Sequence, residues 1–263
     1  MNKIKPFYKL TLLSVILITC LLVSLTPVQA SSGGNQLKIT ACAAVRVVIQ
    51  GKNPAGKTVS YTLNKAASNC DPIKIADKWW QGTVSITAYY NVTPEYPAYN
   101  GQSLAASVPT QAQTNSYYAV SVPTPTARQW IVWRAQTWVT DHVAYNQSST
   151  HDGYRQDCSG YVSFAWQIKK PGTSPSGISA YAHTISFDSL QPGDALNNAS
   201  AHTMLFVKWV DKSKGTFIAD DEENPSSGTR QRTLTLNKST GVIAQNIYYS
   251  YPGKYVAMRL NGL

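Results

Sequence analysis

The chain has 263 residues, with 23 Lys and Arg against 13 Asp and Glu, a formal charge of +10. The length fits one large domain or two of ordinary size, and two are expected here. The basic residues are scattered rather than clustered, which speaks against a nucleic-acid partner and suits work near a polyanionic envelope.

Residues 1–30 open with Lys3, Lys5 and Lys9, continue through an apolar run from Leu10 to Leu25 and end in Pro27-Val28-Gln29-Ala30. This is the pattern of a secretory signal cleaved after Ala30, so a secreted or cell-envelope location is expected. The apolar run is near the lower limit for spanning a bilayer and no basic stop-transfer cluster follows it, so no stable membrane insertion is expected after signal removal. Cys20 lies inside the apolar run and is followed by Leu21-Leu22-Val23, unlike a lipoprotein site. Losing three lysines and no acids lowers the formal charge from +10 to +7.

Cys42, Cys70 and Cys158 remain. In an oxidising exterior an odd count implies one pair and one free thiol, or an intermolecular link. Cys42 and Cys70 share the N-terminal half, and whether they pair is left open; Cys158 stands alone and is read as the free thiol.

Residues 31–107 contain Leu37-Lys38-Ile39-Thr40, a run from Ala44 to Ile49, another from Thr58 to Leu63 and a fourth from Thr83 to Tyr90, all rich in β-branched and aromatic residues. Turn clusters such as Gly51-Lys52-Asn53-Pro54 separate them, so a small all-β, sandwich-like domain is predicted. Trp79-Trp80 is read as core or edge strand before carbohydrate contact. Residues 108–126 turn to Pro, Thr, Gln, Ser and Ala and read as a linker, with a last strand at Tyr117 to Val122 and a boundary near Pro125.

Residues 127–263 form the second expected domain. Trp130, Ile131, Trp133, Ala135, Trp138 and Val139 recur at helical intervals. Cys158, Tyr161, Val162, Ala165 and Trp166 repeat at the spacing of a second helix, which Pro171-Gly172 is expected to end. Strands are predicted from His202 to Trp209, Gly215 to Asp220 and Lys254 to Leu260. Helices followed by antiparallel-looking strands predict the α+β class.

A cysteine in the first turn of a helix sits where unpaired N–H groups and the helix dipole favour a thiolate, and where its own N–H can face the oxygen of an attacked carbonyl. Cys158 is therefore the candidate nucleophile. A base is needed, and the candidates are His142, His151, His183 and His202. His202 leads the apolar run Thr203-Met204-Leu205-Phe206-Val207 and is preferred; the others sit at a helix end or in polar loops. A third residue must orient the ring. The cluster Asp220-Asp221-Glu222-Glu223-Asn224 supplies it, with Glu222 named first and Asp221 and Asn224 as substitutes. Asp157, ahead of the helix, reads as an N-cap.

Asp157-Cys158-Ser159-Gly160-Tyr161-Val162-Ser163, the upstream Tyr145-Asn146-Gln147 and Tyr154-Arg155, the turn Pro192-Gly193-Asp194-Ala195-Leu196 and the His202-led strand together resemble NlpC/p-sixty peptidases, over about residues 128–263. The resemblance implies a papain-like α+β fold and hydrolysis of γ-D-glutamyl bonds in peptidoglycan stem peptides through a thioacyl enzyme. It implies substrate contacts from Asp157 and Ser159, and a tyrosine closing the site at Tyr145 or Tyr154. The family commonly has His, Asn or Gln as its third polar residue, where this sequence offers mainly acids. Neither Cys-x-x-Cys nor His-x-x-x-His spacing occurs, so no metal and no cofactor are expected. The expected partner is peptidoglycan or a muropeptide, and oligomeric state is not legible. The alternatives are an N-acetylmuramoyl-L-alanine amidase or acyltransferase on the same dyad, a secreted effector, or a non-enzymatic envelope-binding protein.

Overall fold

A computed structural model describes residues 36–53, 55–75, 81–91, 103–110, 117–244 and 253–263. The expected signal segment and Trp79-Trp80 lie outside the described residues.

The N-terminal half consists of β1 (Gln36–Thr40), β2 (Ala44–Lys52), β3 (Thr58–Asn64), β4 (Ile73–Ile75), β5 (Gln81–Tyr90), β6 (Ser103–Thr110) and β7 (Tyr117–Ser121). They make a four-stranded antiparallel sheet in the order β3-β2-β5-β6 and a three-stranded sheet in the order β4-β1-β7. Alternation explains the pairing: Val47 and Ile49 of β2 and Val84, Ile86 and Ala88 of β5 all point into one core with Leu37 and Ile39. A Cys42–Cys70 disulfide joins the turn after β1 to the segment before β4. The stretch expected as a linker carries β7, which pairs in parallel with β1, and Val122 closes the same core.

Helix α1 (Ala127–Asp141) follows, opened by a capping box in which Thr126 and Gln129 exchange side-chain and backbone hydrogen bonds. A hairpin of β8 (Asn146–His151) and β9 (Tyr154–Gln156) leads into α2 (Cys158–Trp166). Short 3-10 helices at Pro175–Ala180 and Phe187–Ser189 flank β10 (Ala182–Ile185). The chain then runs through β11 (Ala195–Asn198), β12 (His202–Asp211), β13 (Thr216–Glu222), β14 (Thr229–Asn237), β15 (Val242–Ala244) and β16 (Val256–Leu260). These form a seven-stranded antiparallel sheet in the order β10-β16-β11-β12-β13-β14-β15.

Among the described residues strand accounts for 48% and helix for 17%. The α+β, papain-like class expected from the sequence is therefore overturned: the chain is mostly β, in several sheets. The physical reason lies in where helix stops. Gln167 adopts the left-handed conformation (φ 56°) and its N–H turns back to the carbonyls of Phe164 and Ser163, so α2 closes at Trp166 rather than running to Pro171-Gly172. Beyond it the sequence supplies short strands separated by turns, and the stretch from Thr229 to Asn237, which the sequence reading passed over, forms one of the longer ones.

The large sheet buries both faces. Leu205 joins the helices' core with Tyr161, Phe164 and Trp138, while Met204, Phe206, Phe217 and Ala219 pack in a second core on the other side. Asp194, fully buried in the Pro-Gly-Asp turn, pins α1 and β16 to it: Arg128 contacts Oδ1 at 2.9 Å and Arg259 contacts Oδ2 at 2.8 Å. Gly193 ahead of it has φ 87°, a conformation that favours glycine. Removing one partner from a buried ion cluster leaves its counter-charges uncompensated. Asp194→Ala is accordingly expected to cost about 3 kcal/mol in urea unfolding; an unchanged midpoint would show that the cluster contributes nothing.

Candidate active site

The start of α2 is fixed by its own sequence. Asp157 is the N-cap, in extended conformation, and its Oδ1 accepts from the Gly160 N–H at 2.7 Å and the Ser159 hydroxyl at 2.8 Å. Arg155 donates to Asp157 Oδ2 and Ser159 Oγ, each at 2.8 Å, and to the Thr173 carbonyl at 2.7 Å. Burial works against the Asp157 carboxylate, but the hydrogen bonds from Arg155, Gly160 and Ser159 outweigh it and hold the acid below its ordinary range. A Cβ at position 160 would collide with the Arg155 carbonyl, so glycine alone lets β9 pass this close to the helix. Cys158 thus becomes the first helical residue, with a free thiol that is 7% exposed.

His202 opens β12 and is buried beside that helix start, close enough to Cys158 for thiol and ring to interact electrostatically. Its Nε2 lies 2.8 Å from Asp221 Oδ1. Nδ1 is then the ring nitrogen left for the thiol. Burial alone lowers the imidazole's affinity for a proton, but the charge and hydrogen bond of Asp221 and the contact with Cys158 more than reverse this, raising it to about 10. The Tyr255 ring stands 6.4 Å away, edge-on.

Asp221 and not Glu222, the first candidate from the sequence, stands against the His202 ring. Successive residues of a strand point to opposite faces. Asp221 shares its face with Phe217 and Ala219; Glu222 points the other way, paired across the sheet with Thr229. Burial, reinforced by the charges of Asp157 and Asp221 and opposed by the Thr229 hydroxyl, pushes Glu222 up to about 9, so it is a neutral acid at pH 7. Asn224 instead caps a surface turn, accepting from Ser226 N–H and Oγ at 3.0 and 2.6 Å.

The expected substrate residues divide. Tyr145, half-buried, stands close enough to Cys158, Asp157 and Glu222 for burial and then their charges to raise its phenol. Tyr154 does not reach the site: it is 4% exposed and packs edge-on against Phe164. Asp157 and Ser159 flank the nucleophile, but their side chains are engaged with each other and with Arg155. The remaining histidines lie elsewhere: His142 caps the end of α1, His151 packs on Trp138 and His183 meets Asn261.

Arg232 on β14, which meets Asp221, and Tyr255, which meets the His202 ring, carry no mark in the sequence. Alternation of Phe217, Ala219 and Asp221 was the available signal for the third position. Among the described residues no cluster of three or more His, Cys, Asp or Glu could hold a metal ion, and no helix is long and apolar enough to cross a membrane. Comparison with protein-family models, curated proteins and solved structures finds no match to this chain.

The raised Glu222 has a consequence for stability. Above its ordinary value of 4.5 the unfolded chain releases this proton and the folded chain keeps it until about pH 9. Stability from this group is therefore full below pH 4.5 and declines as pH rises to 9, by up to about 1.4 kcal/mol per pH unit. Glu222→Gln is expected to flatten that decline, seen by chemical denaturation at several pH values. His202 contributes a decline of its own from 6.5 to about 10 in both proteins and cancels in the comparison. Parallel stability curves would show that Glu222 is not the buried neutral acid.

Proposed function

We propose that this chain is a secreted cysteine peptidase that hydrolyses amide bonds in peptidoglycan stem peptides, with γ-D-glutamyl bonds as the favoured target. The observation that carries the reading is Cys158 at the first turn of α2, beside a buried imidazole whose Nε2 lies 2.8 Å from Asp221. Nucleophile, base and orienting group stand in the sequence an acyl-transfer site needs. The substrate class is supported by the Asp-Cys-Ser-Gly and Pro-Gly-Asp motifs and the His-led strand, which resemble those of NlpC/p-sixty peptidases. The signal-like leader and basic charge are consistent with the envelope.

In the proposed cycle the Cys158 thiolate attacks the scissile carbonyl carbon beside the His202 imidazolium. The developing oxyanion is met by the backbone N–H of Cys158, which the helix start leaves without an intrahelical partner. His202 gives its proton to the leaving amine as the C–N bond breaks, leaving a thioester on Sγ. Water, losing a proton to His202, then attacks the thioester, and the carboxylic acid and free thiol are released. Asp221 holds the ring so that Nδ1 faces the reaction, and Tyr145 borders the opening.

The test is incubation of the protein with defined muropeptides and weighing of the products. Fragments separated at a stem-peptide amide are expected from the native protein and none from Cys158→Ala. Asp221→Asn is expected to lower the rate roughly 10²- to 10⁴-fold, while Glu222→Gln retains most of it. Identical products from native and Cys158→Ala protein would remove the nucleophile, and loss in Glu222→Gln with retention in Asp221→Asn would reverse the assignment of the third residue.

A further inference from the structure

The acidic end of β13 is answered across the sheet by Thr229-Arg230-Gln231-Arg232 of β14. The antiparallel register sets Asp220 opposite Gln231 and Glu222 opposite Thr229 on one face, with Ala219 opposite Arg232 and Asp221 opposite Arg230 on the other. Diagonal neighbours on one face lie within reach of a long side chain. Arg232, diagonal to Asp221, makes that reach: its guanidinium lies 3.6 Å from Asp221 Oδ2 and forms a close ion pair with Glu223. Arg230 also faces Glu223, at 3.5 Å, but its side chain is 44% exposed against 14% for Arg232, so solvent screens it more.

The two oxygens of Asp221 therefore meet different cations, His202 at Oδ1 and Arg232 at Oδ2. We propose that Arg232 is a positioning residue for the Cys158–His202 pair: it holds the outer oxygen of Asp221 and balances Glu223, so that the imidazole faces the net charge of one carboxylate rather than two. This rests on the reading of Cys158 as the reactive thiol. The groups around His202 are Asp221 from β13, Cys158 from α2 and Tyr255 from the segment entering β16; Arg232 and Glu223 lie behind Asp221, and Asp157, Glu222 and Tyr145 border the helix start. Arg232 sets the strength of the negative field that reaches the ring. Without its charge, the negative potential of Asp221 and Glu223 favours retention of protons by both imidazole and thiol.

Alkylation of Cys158 by iodoacetamide in the full-length protein, quantified on the Cys158 peptide by mass spectrometry from pH 5 to pH 10, reads this without a peptide substrate. Arg232→Gln is expected to move the rising limb of the rate upward by about one pH unit, roughly a tenfold slower reaction at a pH on that limb. Arg232→Lys is expected to keep most of the native profile, and Glu223→Gln in the Arg232→Gln background to bring it back. Glu223→Gln alone, which leaves Arg232 in excess, is expected to move the limb the opposite way; this arm decides the matter if Arg232→Gln does not fold. A native profile in folded Arg232→Gln, an unrecovered double variant, or an upward shift in Glu223→Gln would each overturn the proposal. Absence of muropeptide hydrolysis together with these shifts would sink the peptidase reading and leave the positioning role standing.

Discussion

Bringing His202 and Asp221 together out of water is the constraint on which the site depends. Their side chains are 7% and 0% exposed and 2.8 Å apart, and desolvating such a pair costs roughly several kcal/mol per ion before their attraction offsets it. That attraction is available only in one register of β13 against its neighbours. The pairing of Leu205 with Asp220 and of Phe206 with Ala219 sets which acids face the ring. A slip of one residue would exchange Asp221 for Asp220 or Glu222, and the apolar run of Phe217 and Ala219 would leave its core in the same movement. The hydrophobic pattern that builds the sheet is thus also what selects the carboxylate.

The thiol comes from a different element and needs its own fixing. Every residue of α2 is buried, and its first turn is held three ways: the Asp157 cap, the Arg155 bridge to Asp157, Ser159 and Thr173, and the close approach of Arg155 to Gly160. Each lock restrains a different freedom, the helix's unwinding, its rotation and its distance from β9. Ser163 extends the same arrangement, donating to the Ser159 carbonyl at 2.6 Å and accepting from the Thr173 N–H at 3.1 Å. Thiol and imidazole therefore meet between two rigid parts, as a site requiring sub-ångström placement demands.

What the sequence revealed of this followed the range of the interactions. Cys158 and His202 were legible because each is marked by its immediate neighbours, a cap and helical spacing for one and an apolar strand for the other. Choosing between Asp221 and Glu222 needed the strand's parity, which Phe217 and Ala219 carry but which a dense acidic cluster obscures. Arg232 was not legible at all, since its meaning comes from pairing with a strand whose register no local pattern states. The family resemblance offers Tyr154 beside Tyr145 as the tyrosine closing the site, whereas Phe164 draws Tyr154 into the core. The α+β expectation rests on the two helices at the front of this half, whereas the short β10 and β11 and the nine-residue, partly polar β14 carry little local signal.

The N-terminal sheets bear on the same geometry through α1. That helix is apolar on two sides: Ile131, Ala135 and Trp138 face the core beneath α2, while Trp130 and Trp133 turn to the N-terminal core and meet Tyr90 at ring distances of 6.0 and 5.8 Å. Tyr90 in turn donates its hydroxyl to the Pro123 carbonyl at 3.0 Å, and Val122 is bonded back to Thr40, so the chain entering α1 is part of the N-terminal architecture. A helix with apolar surface on both sides is stable only when both are covered. Trp138 stacks at 5.0 Å on Phe164, a residue of the nucleophile's own helix. The packing that seats α2, and with it Cys158, is therefore continuous with the β-rich half, which contributes to the site by covering the far side of the helix that supports it.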